Sequence, residues 1–233
     1  MKMNQYTKTT MSLAAAMGTL ALAATSANAA TVVWSASQTI TENADILNPA
    51  NVVDARNFGV TTGTITVNVG GTDVDFTAGG ITGGEDNIVS GLFDTTSTTV
   101  AADFDSVLDS GRHNGGVTPL GTISYTGLTM GGSYTLQVFS SDDRGGKDWI
   151  SNLDIGGSST TIDITGEVSS FTTATITLVG AETGFDVDLS PGAGSLAGIW
   201  LVNAAVLTTP VPEPSTTALL GLAGFALIMR RRK

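Results

Sequence analysis

Cysteine is absent from this 233-residue chain, which excludes disulfides, thiolate metal sites and thiol nucleophiles. Histidine occurs once, at His113, and neither a His-Glu-x-x-His helix nor a Gly-x-Ser-x-Gly elbow accompanies it. Nucleophilic or metal-assisted hydrolysis of those types therefore lacks its apparatus. Cations are also scarce, with ten Lys and Arg against 21 Asp and Glu, a formal net charge of -11. Six of the ten sit at the two ends: Lys2, Lys8, Arg230, Arg231, Arg232 and Lys233. Between Ala30 and Pro210 only Arg56, Arg112, Arg144 and Lys147 face about twenty carboxylates. Such a surface repels phosphate backbones, so nucleic acid is not an expected partner.

What is abundant points to β-structure. The chain has 29 glycines and is 41% hydrophobic, with Thr and Ser throughout, a pattern of short strands joined by tight turns. Val32, Trp34 and Ala36 alternate, as do Ile65, Val67 and Val69, then Val74 and Phe76 after a Gly70-Gly71 hairpin turn. Ile123 and Tyr125, Tyr134 to Phe139 after Gly131-Gly132, Ile162 and Ile164, Ile176 and Leu178, and Phe185 to Leu189 continue the period of two. Ile199 to Leu207 reads as one final apolar strand. Phe104, Val107 and Leu108 instead follow helical spacing, so a short helix is expected there, with Thr99 or Asp103 as N-cap and Gly111 as its stop. The fold class expected is all-β: a single antiparallel β-sandwich, jelly-roll-like, with one short helix. It occupies residues 31–208, without repeats or an internal linker.

Both ends carry processing signals. Lys2 and Lys8 precede an apolar stretch, Met11 to Ala24, and Ala27-Asn28-Ala29 supplies the small residues of a cleavage site. Residues 1–30 are thus expected to form a signal peptide helix, cut after Ala29 or Ala30. Residues 209–233 contain Val211-Pro212-Glu213-Pro214, an apolar run from Ala218 to Met229, and the cluster Arg230, Arg231, Arg232, Lys233. The prolines force extended backbone around Glu213. The apolar run spans roughly 18 Å as a helix, short of the ~30 Å hydrocarbon core. A weakly held transmembrane sorting helix with its basic end in the cytoplasm follows, by the positive-inside rule.

This order of elements resembles the PEP-CTERM sorting signal of proteins exported by Gram-negative bacteria that make extracellular polysaccharide. The resemblance implies an exosortase as processing partner, transient inner-membrane anchoring, Val211 to Ser215 as the recognition element, and loss of Ala218 to Lys233. The segments Leu128 to Phe139, Asp142 to Gly145 and Leu201 to Val206 resemble exported galactose-binding-like domains. Such domains are commonly glycan-binding modules, often with structural calcium.

Candidate ligand residues lie in two segments. Asp142-Asp143-Arg144-Gly145-Gly146, with Trp149 close behind, can offer hydroxyl-binding groups and an aromatic face; a solvated turn would have the same composition. Arg112 and His113 form the second candidate, with a surface histidine as the plainer reading. Asp186 and Asp188 share one face of a strand and can offer oxygens to calcium, although a solvated sheet face needs the same residues. Asp73/Asp75, Asp103/Asp105 and Glu85-Asp86-Asn87 are further acidic pairs without EF-hand spacing. Trp34 and Trp200 are expected in the core and Trp149 at the surface. The function expected is a non-catalytic sandwich binding extracellular polysaccharide or contributing to the envelope or biofilm matrix. A polysaccharide-active hydrolase or lyase, and a structural or adhesive protein, are the alternatives.

Overall fold

The computed structural model describes residues 30–83, 87–90, 101–114, 120–166 and 168–210, with backbone alone for 87–90. The expected signal helix, Glu85 and Asp86, Thr99, Val211 to Pro214, the sorting helix and Arg230 to Lys233 lie outside the described residues. Among the described residues no helix is long and apolar enough to cross a membrane.

The strands in chain order begin with β1 (Ala30–Trp34), β2 (Gln38–Thr39), β3 (Val52–Asn57), β4 (Thr64–Val69) and β5 (Thr72–Ala78). After β6 (Asn87–Ser90) comes helix α1 (Ala102–Leu108), then β7 (Ser110–His113), β8 (Gly121–Tyr125) and β9 (Ser133–Ser140). The chain finishes through β10 (Ile150–Ile155), β11 (Ser158–Asp163), β12 (Ser170–Leu178), β13 (Phe185–Pro191), β14 (Leu201–Val202) and β15 (Ala204–Thr208).

The large sheet runs β1-β12-β9-β15-β3-β5-β4, with β2 also paired to β12. The second sheet runs β11-β10-β13-β8, and a small third one β14-β7-β6. Pairing is antiparallel throughout except for β3 with β5, which leaves the sandwich expected from the alternation intact. The Gly70-Gly71 hairpin forms as expected, with φ of 58° and 90° closing the pair Val69↔Thr72, a conformation glycine adopts without a Cβ clash.

Leu136, Val138, Ile176, Leu178, Ala205 and Leu207 of the large sheet meet Ile123, Leu153, Val187 and Leu189 of the second sheet in one buried cluster. The opposite face of the large sheet packs Val67, Val74, Phe76, Phe139 and Val206 under Phe104, Val107 and Leu108 of α1. The helix is therefore where its spacing put it. Its N-cap is Ala101, without a side-chain cap, rather than Asp103, and Asp109 rather than Gly111 is its C-cap. Asp103 instead caps the free edge of β4, because Oδ2 accepts the Asn68 N–H at 2.8 Å. Asn43 completes this cap by donating to the Asn68 carbonyl at 3.1 Å.

The run from Ile199 to Leu207 is not one strand. It breaks at Asn203 into β14, in the small sheet, and β15, in the large one. Asn203 is fully buried. Its Nδ2 donates to the carbonyls of Leu108 (2.6 Å) and Ser110 (3.0 Å), and its Oδ1 accepts the Ser141 N–H at 2.8 Å. A strand that changes sheets leaves backbone groups unpaired at the crossing, and this side chain satisfies those of its neighbours.

Register orders the two ends of the sandwich. Ala30 pairs with Leu178, Thr177 with Ser133, and Thr135 with Thr208, so the start of β1 and the finish of β15 share one end. The turns 126–132, 156–157 and 179–184 belong to that lower end. The upper end carries the connections 58–63, 141–149 and 192–200, together with residues 164–166 and 168–169.

Candidate functional site

The connection from β9 to β10 leaves the upper end through Ser141 and Asp142. Asp142 is 1% exposed, and a carboxylate so buried requires a partner. Arg144, two residues on, supplies it: Nε donates to Oδ1 and Nη2 to Oδ2, both at 2.8 Å. The Arg144 N–H adds a bond to Oδ1 at 3.1 Å. This fork-on-fork pairing raises the guanidinium pKa, the Asp142 hydrogen bond outweighing burial.

The same guanidinium lies over Trp149, 5.6 Å from the ring centroid, within cation–π range. On Trp149 also packs His113, with centroids 5.8 Å apart and a 36° tilt. His113 comes from the end of β7, where Leu201 pairs with it and Val202 with Arg112. Burial lowers the imidazole pKa, the Arg144 charge lowers it further, and Asp142 pulls the other way. Asp142, Arg144, Trp149 and His113 thus form one continuous stack, and Asp143 adds its field to Arg144.

Two expectations about these residues require correction. Trp149 is 4% exposed, because it belongs to the buried core cluster and Arg144 and His113 pack on its ring; the charged residues before it in sequence do not expose it. Arg112 is 6% exposed, and burial lowers its guanidinium pKa; its strand is enclosed between β6 and β14. The surface groups of this loop are Gly145, Gly146 and Asp148, with Asp143, Arg144 and Lys147 half-buried. Three of the four cations of the domain, Arg112, Arg144 and Lys147, belong to this loop or to β7 beside it.

Polar residues that no motif singled out brace the cluster. Asn114, 1% exposed, donates to the Gly198 carbonyl at 3.0 Å and accepts the Trp200 N–H at 3.2 Å. Ser140 and Ser151 both donate to the Leu201 carbonyl, and Ser141 and Ser169 share a 2.6 Å hydroxyl contact. The Asp148 carbonyl accepts the Leu196 N–H at 2.8 Å. The sequence signal was faint: an Asn inside or beside an apolar strand.

Asp186 and Asp188 project from the exposed face of β13, as the period of two requires. Asp188 accepts a hydrogen bond from Thr122 at 2.9 Å and lies directly opposite Asp154. Both aspartates edge a recess of about 230 Å³ with Ala30, Ile155 and Gly156. A second recess of about 330 Å³, lined by Tyr125, Glu182, Thr183 and Phe185, adjoins it at the lower end. Among the described residues no group of three or more His, Asp or Glu is close enough to hold a metal ion. Of the remaining tryptophans, Trp200 is fully buried, and Trp34 packs against the same core with its Nε1 donating to the Ser158 carbonyl at 2.9 Å.

No curated protein matches the chain. Among solved structures, it is similar to the crystal structure of the plant receptor-like kinase ANX2, with 12% identity, 69% of this chain and 49% of that one covered, and a TM-score of 0.55. The ANXUR2 extracellular domain from Arabidopsis thaliana is also similar, at 13% identity, 70% and 52% coverage, and a TM-score of 0.51. The chain spans about half the length of these proteins, and at such identities the likeness is one of fold. Residues 210–233 match the PEP-CTERM protein-sorting motif, beginning where the last strand ends, so this chain carries the tail of an exported, exosortase-sorted protein.

Proposed function

We propose that this protein is displayed at the surface of a Gram-negative bacterium, where its sandwich binds extracellular polysaccharide without catalysis. The observation that carries this reading is the stack of Asp142, Arg144, Trp149 and His113, with Asp143 and Lys147 on the same loop, at one end of an otherwise acidic domain. Polar and cationic groups on a rigid loop suit hydroxylated or anionic sugar chains. Non-catalysis is supported by the state of Asp142: both its oxygens are held by Arg144. Glycoside hydrolysis needs two carboxyl groups free to exchange protons or attack across a cleft.

The burial of Trp149 favours a second reading, a structural or adhesive protein of the matrix, since no tryptophan face is offered to a sugar ring at this loop. Affinity gel electrophoresis of the protein through host polysaccharide separates the two. Retention that weakens in Lys147→Ala and Asp143→Ala supports the binding reading. Unretarded migration in every host polysaccharide would sink it and leave the structural one. Running the gels with calcium and with chelator, in the parent protein and in Asp188→Asn, tests a calcium role for Asp186 and Asp188.

A further inference from the structure

We infer that, while its tail is uncut, the domain stands on the membrane by its lower end and points the Asp142–Arg144–Trp149 end away from it. A domain that precedes a membrane-inserted tail is held where its last ordered strand ends. That strand is β15, and its pairing continues one residue further, the Thr209 N–H donating to the Asn51 carbonyl at 3.0 Å. The matched sorting motif begins at residue 210. From Pro210 to the first residue of the apolar run, Ala218, the chain spans at most about 29 Å even fully extended. Pro212 and Pro214 stiffen that short tether.

The other terminus obeys the same geometry. Ala30 opens β1 at the lower end, three strands away from β15 in the order β1-β12-β9-β15. At about 4.8 Å per strand the two exits are roughly 14 Å apart. The expected signal segment closes at Ala24, about 20 Å of chain before Ala30 at most. Until the signal segment is cut, two membrane-seeking segments leave one end of the sandwich, close together on short leads, and a single bilayer holds both most directly beneath that end.

Hydrogen bonds make this end a firm base. The Leu178 N–H donates to the Gly132 carbonyl at 3.0 Å, and the Leu128 N–H to the Thr183 carbonyl at 2.7 Å, which joins the turns 126–132 and 179–184. Met130 and Val179, at 61% and 48% exposure, stand on these turns. Glu182 and Asp186 beside them disfavour adhesion to anionic lipid, so the tether rather than lipid affinity sets the orientation. The nine residues of β12 put the upper loops about 30 Å further out.

The chain has no native cysteine, so single-cysteine labelling is unambiguous. Full-length Met130→Cys, Val179→Cys, Gly145→Cys and Val168→Cys would each carry a fluorophore and be reconstituted into phosphatidylcholine vesicles containing headgroup-nitroxide lipid. The expected result is several-fold stronger quenching at residues 130 and 179 than at 145 and 168. Equal quenching at the two ends, stronger quenching at the upper pair, or none at any site overturns the inference. Two sites per end, each checked by its urea midpoint, keep the comparison intact if one variant misfolds. The outcome is independent of polysaccharide retention, so either proposal can fail without the other.

Discussion

Arg56 of β3 lies across the ring of Tyr125 of β8, its guanidinium carbon 4.4 Å from the ring centroid. It is held there by Asp54 at 2.6 Å, and its Nη1 donates to the Ser124 carbonyl at 3.0 Å. The contact joins the two sheets at the point where β8 would present a free edge. The remainder of that edge is covered by the reciprocal bonds of Thr82 with Thr122. Exposed strand edges recruit other chains, and a cation laid over the edge prevents this. The one domain cation outside the Arg112, Arg144 and Lys147 group is thereby a clamp.

Replacing Arg56 by Ala should lower stability by about 1–2 kcal/mol, the sum of a cation–π contact and a charge-assisted hydrogen bond. Urea unfolding measures the loss, and light scattering should show a rise in self-association. Arg56→Lys should recover only part of the stability, since it cannot reproduce the fork.

Asn203→Ala should be far more damaging. It orphans the Leu108 and Ser110 carbonyls and the Ser141 N–H in the interior, at ~1–3 kcal/mol for each group left unsatisfied. A loss of about 3 kcal/mol or more is expected in thermal or urea unfolding. Asn203→Asp should do no better, because a carboxylate cannot donate to two carbonyls.

His113 should make the fold acid-sensitive in a defined window. Its folded pKa is depressed by burial and by Arg144, against Asp142, so the unfolded chain binds the proton more readily. Stability is then full above the unfolded value, about 6.5, and falls as pH drops from there through the folded value. Urea midpoints at pH 8 and pH 5 should differ, and His113→Phe should reduce the difference.

Asp103 should add a second acid-sensitive step. Burial alone raises its pKa, but hydrogen bonds from the Asn68 N–H, the Asn43 amide and the Phe104 N–H outweigh it and hold the carboxyl below its ordinary value. Its contribution is present above the unfolded value and lost as pH falls through the depressed folded one. A control variant whose sole change is at an exposed aspartate should keep the parent's acid profile, while Asp103→Asn should flatten this step.

Local patterns made the Gly70-Gly71 hairpin, the α1 face of Phe104, Val107 and Leu108, and the outward pair Asp186 and Asp188 legible, because each depends on neighbours in sequence. The break at Asn203 was hidden by its surroundings: apolar residues on both sides satisfy a continuous strand equally well, and only the sheet each half joins differs. The approach of His113 to Trp149 was invisible for a related reason. It depends on β14 pairing with β7, a contact between segments some 90 positions apart, which no periodicity encodes. Trp149 looked exposed because its sequence neighbours are charged, whereas its burial is decided by the core cluster it joins and by Arg144 and His113 packed on its ring.

The placement of β15 has a mechanical consequence. This strand is flanked on both sides, by β9 and by β3, and the sorting motif follows it from residue 210. Under the surface display proposed above, drag from flow or from an entangled polymer would pull β15 lengthwise between two antiparallel neighbours. Both ladders must shear together before the strand slides, rather than unzipping one bond at a time from an edge. The tether is fastened at the part of the sheet best suited to bear load.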